Sequence, residues 1–210
     1  KRTLEYIRNK NALVIADIKR GDISSTASMY AKAHFDGDFE SDFITLNPYM
    51  GLDSITPYIP YVEKKDKGLF ILLRTSNEGA KDIQYLNIDN GQKVYNYVGD
   101  KINQISLKYQ GKSGYSSIGV VVGGTHLEEA DEIRNRFENM FFLIPGYGAQ
   151  GGSGGDVAHY LKKGNGGIVN SSRGIITAYK KYEDGVEKFG EYTRKAVLDM
   201  KEDISCESRV

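Results

Sequence analysis

Six short, almost wholly apolar runs recur along the chain, at residues 13–17, 42–47, 69–73, 118–122, 141–144 and 167–170. Each is often β-branched and none alternates apolar with polar residues. Such runs suit strands buried on both faces, as in a parallel sheet. Between and after them lie stretches of helical character, at residues 26–37, 54–65, 91–110, 126–137, 155–163 and 186–201. Regular alternation of strand and helix means βα units, and these build either a barrel or a doubly wound sheet. No stretch has linker composition and no repeat or low-complexity tract interrupts the pattern, so residues 1–210 read as one domain. A closed barrel of βα units needs eight strands in roughly 250 residues. Only six runs are visible in these 210 residues. The opening segment KRTLEYIRNK already reads as the second half of an amphipathic helix, without a start methionine or signal peptide. The expectation is a domain that is incomplete at its N-terminus.

Composition excludes several function classes. Lys plus Arg equals Asp plus Glu, 28 against 28, so the global charge gives no support for nucleic-acid binding or for attraction to a membrane surface. No apolar run approaches the roughly 20 residues that span a bilayer. Cys206 is the single cysteine, which rules out an internal disulfide and makes a poor metal site. It reads as a free thiol in a reducing cytosol, which places the protein in the cytoplasm. His34, His126 and His159 are dispersed in or near helices and read as structural or solvated. The 15 tyrosines read as packing and surface residues.

In α/β folds, ligands bind beyond the C-terminal ends of the strands. Polar residues and glycines accumulate there after nearly every run. Asp17, Lys19 and Asp22 follow the first. Asp17 and Lys19 are two apart, so on an extended strand they share a face. A lysine between carboxylates stays protonated at neutral pH, because negative charge favours the cation. Charge runs are usually solvated ion pairs, but these charges come straight after a buried strand rather than on a helix face. After the fifth run, Gly146, Gly148, Gly151 and Gly152 allow backbone N–H groups close to an anion. Gly155 then opens a helix, whose N-terminus also favours anions. One strand later, Arg173 offers a two-pronged fork suited to phosphate.

These residues resemble a known family. Asp17-Ile18-Lys19-Arg20-Gly21-Asp22-Ile23, followed by Ser24-Ser25-Thr26-Ala27, looks like the D-x-K-x-x-D-I signature of orotidine 5′-phosphate decarboxylases, in the form found in a bacterial subgroup with longer chains. Residues 144–152 resemble that subgroup's P-G-x-G-A-Q-G-G phosphate loop, VNSSRGI at residues 169–175 its last phosphate-binding strand and loop, and residues 74–79 the loop at the pyrimidine. The resemblance runs from Thr3 to about Met200. It implies a TIM (β/α)8 barrel whose first two strands are missing from this chain. It also implies decarboxylation of orotidine 5′-monophosphate to uridine 5′-monophosphate in pyrimidine biosynthesis, with no metal and no organic cofactor. By motif position, Lys19 would protonate C6 and Asp17 would hold Lys19 near the departing carboxylate. Asp22 would complete the charged array, reaching with Thr26 across a homodimer interface to the partner's substrate, and Ile23 belongs to the same substrate-binding segment. Ser76 would hydrogen-bond the base. Gln150 and Arg173 would hold the phosphate, with Gly148, Gly151 and Gly152 forming its loop. A further lysine and a ribose-binding aspartate of the family have no counterpart within the chain.

Three other readings fit parts of the pattern. A Mg²⁺-dependent sugar-phosphate decarboxylase or synthase of the same barrel superfamily shares D-x-K-x-x-D, but Gln150 and the Ile23/Thr26 context favour the nucleotide enzyme. A non-catalytic phosphate-ligand binding module would not need Lys19. A Rossmann domain would carry its glycine motif after the first strand, whereas here the glycines come late.

Overall fold

The computed structural model describes residues 1–148 and 151–207. Its strands are β1 (Ile15–Arg20), β2 (Phe43–Leu46), β3 (Gly68–Arg74), β4 (Ser116–Val122), β5 (Met140–Pro145) and β6 (Gly167–Asn170). The helices are α1 (Arg2–Arg8), α2 (Ser24–Phe35), α3 (Ile59–Lys65), α4 (Val94–Ser106), α5 (Leu127–Arg136), α6 (Gly154–Ala158), α7 (Ser172–Ile176) and α8 (Phe189–Glu207). The strand order in the sheet is β1-β2-β3-β4-β5-β6, chain order throughout. The pairs β1/β2, β2/β3 and β5/β6 are parallel. A doubly wound sheet reverses its order at a switch point, whereas a barrel lays each strand beside the last. The order here is the barrel's.

The described chain divides into two compact units. The first comprises Lys1–Thr75, Gly79–Val121 and Asn139–Phe141. In it β2 and β3 run in register from Phe43↔Gly68 to Leu46↔Ile71, and Ile44, Leu69 and Ile71 are fully buried. Helix α2 buries Ala27, Ala31 and Phe35, one residue per turn on a single face. Two glycines here exist because nothing else fits. A Cβ on Gly68 would enter the Phe43 ring, and one on Gly119 would strike the Phe141 carbonyl oxygen.

The second unit comprises Ser76–Glu78, Val122–Glu138 and the described residues from Phe142 onward. Phe142, Ile144, Val157 and Tyr160 form its core together with Ala130 and Ile133 of α5. Arg134 is buried there. Its guanidinium lies 3.8 Å from the Phe142 ring centroid and donates to the carbonyls of Gly166 and Phe137. The aromatic face and the carbonyls replace the water that the cation gives up.

Helix boundaries depart from the hydropathy pattern where prolines and glycines intervene. The expected helix at 54–65 is broken into 3-10 turns at Leu52–Ser54 and Thr56–Tyr58, followed by α3. Pro57 and Pro60 start these turns, where the absent N–H costs nothing. The expected helix at 155–163 contracts to Gly154–Ala158, and α7 adds a short helix where a loop was expected.

Candidate active site

Strand β1 does not end before its charged motif but runs through it. Its pairing with β2 is regular at Ile15↔Phe43 and Ala16↔Ile44 and resumes at Arg20↔Leu46. Asp17, Ile18 and Lys19 therefore all oppose one residue, Thr45. This is a β-bulge, and Lys19 absorbs it with φ 47°, in the left-handed region that L-residues rarely occupy. The two-residue alternation expected for Asp17 and Lys19 is thus not what brings them together. The bulge does: Lys19 Nζ lies 2.6 Å from Asp17 Oδ1. Both side chains are about half exposed, at 48% and 51%, so the pair faces solvent and contributes little to stability.

Thr45 was not singled out in the sequence, yet it is fully buried beneath this pair. Its hydroxyl accepts the Lys19 backbone N–H at 2.8 Å and donates to Asp17 Oδ1 at 3.0 Å. A polar residue inside the apolar run FITL was the available signal. Asp22 stands apart from the pair. Its Oδ1 accepts the N–H of Ile23 at 2.9 Å, just before α2 begins. Ile23 and Thr26 are exposed at that end of α2. Tyr58, fully buried in the same unit, has its hydroxyl pushed up to about 12, chiefly by burial, with nearby Arg20 opposing and Asp22 adding to the rise. His34 is held below the ordinary imidazole range by burial and by the Arg20 charge.

The remaining candidates belong to the second unit, apart from Gln150, which lies outside the described residues. Ser76 is half-buried, and Gly123 gives it room: a Cβ there would come within 2.9 Å of the Ser76 backbone nitrogen. In the glycine loop, Gly146, Gly148 and Gly151 have φ of 119°, 72° and 94°, so their conformations favour glycine. The N–H groups of Gly148, Gly151 and Gly152 donate to the carbonyls of Gly152, Gly148 and Gly146 at 2.7, 2.9 and 3.2 Å. These three amides close the loop on itself. At the start of α6, carboxylates already accept two of the backbone N–H groups. Asp156 accepts the Ser153 N–H at 2.7 Å, and Asp203 of α8 accepts the Gly154 N–H at 2.9 Å. Asp203 further accepts the Tyr147 hydroxyl at 2.8 Å, while the Ser171 hydroxyl donates to the Tyr147 carbonyl at 2.7 Å. The Tyr147 hydroxyl is pushed up to about 12 by burial, then by Asp203. Nothing in the sequence linked Asp203 to a loop some fifty residues earlier. Arg173, by contrast, is exposed on α7, and among the described residues its guanidinium makes no ion pair.

His126 occupies the position just before α5, and His159 lies 3.1 Å from Asp131 at the surface. Among the described residues, no group of three or more His, Cys, Asp or Glu side chains could hold a metal ion, and no helix is long and apolar enough to cross a membrane.

Strands in chain order, with an acid–lysine pair on the bulged first strand, define an α/β protein of the barrel class, and comparison with known proteins narrows that class. The orotidine 5′-phosphate decarboxylase / HUMPS family model matches residues 1–187. The chain belongs to that family. It is 66% identical to the orotidine 5′-phosphate decarboxylase of Petrotoga mobilis, over all of this chain and 73% of the relative. The Clostridium acetobutylicum enzyme is 65% identical over 97% of this chain and 71% of its own length. Among solved structures, a putative orotidine 5′-phosphate decarboxylase from Streptomyces avermitilis superposes with a TM-score of 0.82 at 28% identity, covering all of this chain and 70% of that one. The OMP decarboxylase of Leishmania donovani gives 0.75 at 30% identity, over 94% and 69%. The fold is accordingly that of a TIM-type (β/α) barrel.

Proposed function

We propose that this chain removes CO₂ from orotidine 5′-monophosphate to give uridine 5′-monophosphate, with Lys19 supplying the proton. The C6–carboxylate bond breaks, CO₂ leaves, and the bonding pair stays on C6. That pair takes a proton from the Lys19 ammonium. A preorganised cation stabilises such charge as it develops. Asp17 keeps the ammonium aimed. The observation that carries this reading is the 2.6 Å contact between Lys19 Nζ and Asp17 Oδ1 on the bulged end of β1, in a chain of the decarboxylase family.

In this reading Ser76 meets the base, and Gln150, Arg173 and the loop of Gly148, Gly151 and Gly152 take the 5′-phosphate. The loop glycines give the chain its shape, since their amides are satisfied internally. Arg173 has its five donors to offer. Phosphate held remotely from the reacting carbon positions the ring and so lowers the barrier. Asp22, Ile23 and Thr26 act at a homodimer interface, which fits their place at the exposed start of α2. The enzyme works in the cytoplasm and uses no metal or organic cofactor.

Two measurements test this. Turnover of orotidine 5′-monophosphate by the intact protein is expected to persist in a strong chelator; its loss would favour the Mg²⁺-dependent sugar-phosphate chemistry instead. Arg173→Ala is expected to raise KM for the nucleotide by roughly 10- to 100-fold, the value of a charged two-pronged hydrogen bond. It should leave a phosphate-free nucleoside analogue nearly unaffected. Equal effects on both would count against the phosphate role.

A further inference from the structure

The β1 bulge needs an explanation, because a left-handed lysine in a parallel strand is costly. Residues in that region persist only where the surroundings hold them, at about 1–3 kcal/mol each. One group is placed to do so. Three residues of β1 oppose Thr45 alone, and Thr45 meets the strained segment with both faces of one hydroxyl. Its lone pair takes the Lys19 N–H at 2.8 Å, and its proton goes to Asp17 Oδ1 at 3.0 Å. The same Oδ1 receives the Lys19 ammonium at 2.6 Å. A hydroxyl has one donor and two acceptor sites, so it can serve both partners at once. The residue is fully buried between Ile44 and Leu46, where an apolar side chain would be the ordinary choice for a strand covered on both faces. The flanking Ile44 and Leu46 follow that rule; Thr45 breaks it where β1 breaks register.

We infer that Thr45 is a positioning residue for the Asp17–Lys19 pair: its buried hydroxyl fixes the backbone of one partner and the carboxylate of the other. It touches no reacting atom. It sets where the ammonium stands and which carboxylate oxygen holds it, leaving Asp17 Oδ2 free of partners among the described residues. This rests on the reading of Lys19 as the proton donor.

Thr45→Val keeps the shape and removes both hydrogen bonds, whereas Thr45→Ser keeps the hydroxyl. In the intact protein, Thr45→Val is expected to lower kcat roughly 10- to 100-fold, the cost of misplacing a catalytic group by about 1 Å. KM and affinity for uridine 5′-monophosphate should change less than about threefold, since the phosphate contacts lie elsewhere. Thr45→Ser should recover most of kcat. If Thr45→Val does not fold, Thr45→Ala and Thr45→Ser serve in its place, and kcat should again follow the hydroxyl. A kcat for a folded Thr45→Val near that of the wild type, or equal losses in Val and Ser, overturns the inference. So does a loss confined to KM. Lys19→Ala, measured alongside, separates the two claims. If it is inactive while Thr45→Val is normal, only the role of Thr45 fails; if Lys19→Ala is itself normal, the reading beneath it fails.

Discussion

His34 shows how a residue without a catalytic part still shapes the protein's response to pH. Its ring is half-buried on α2, and Arg20 Nε donates to its Nε2 at 3.4 Å. Burial, followed by the Arg20 charge, holds it below the ordinary value of 6.5. As pH falls through that value, the unfolded chain takes up a proton that the folded chain refuses. Stability contributed by the neutral ring is therefore present above about pH 6.5 and declines below it, until the folded-state value is passed. In urea unfolding, the wild type is expected to lose more stability between about pH 7 and pH 5 than His34→Gln does. Identical slopes would contradict this. At the residue scale, the charged groups were legible in the sequence: Asp17 and Lys19 pair as their motif suggested. Their supports were not, since Thr45 and Asp203 act through hydrogen bonds between segments far apart in sequence, and spacing carries no trace of those.

Elements were legible where apolar runs are long and free of interruption. All six strands fall on the expected runs; β2 to β5 are largely buried as such runs suggest, whereas β1 and β6, at the ends of the sheet, are not. The helix at 54–65 broke into turns because its prolines favoured them locally, and the one at 155–163 contracted to Gly154–Ala158. The β1 bulge was invisible, because alternation assumes unbroken register and only the partner strand reveals the slip. Strand packing leaves its own signature in glycine. Gly119 of β4 has no room for a methyl group beside the Phe141 carbonyl and the Phe70 ring. Gly119→Ala is expected to destabilise the protein by about 1–3 kcal/mol through forced displacement of backbone. Gly190, which has nothing near it on α8, is expected to become slightly more stable as Ala, by up to about 1 kcal/mol. Chemical unfolding midpoints check both, and a neutral Gly119→Ala would mean that β4 and β5 sit further apart than described.

At the scale of the whole molecule, parallel pairing was implied by the repeating βα pattern, which left barrel and doubly wound sheet both open, while family membership, and with it the barrel's strand order, was implied by four segments spread along the chain. The chain spans about seven-tenths of the length of the curated relatives it matches. An assembly was suggested only by the resemblance. The proposed homodimer predicts twice the monomer mass by sedimentation at working concentration, and substitution of exposed Met29 on α2 by a charge should weaken association. A fully active monomer would exclude it. The central claim concerns one ammonium group, and steady-state turnover of orotidine 5′-monophosphate by Lys19→Ala addresses it most directly. The account predicts a fall in kcat of roughly 1,000-fold or more, with uridine 5′-monophosphate still bound. Turnover within about tenfold of the wild type by the folded variant would contradict it.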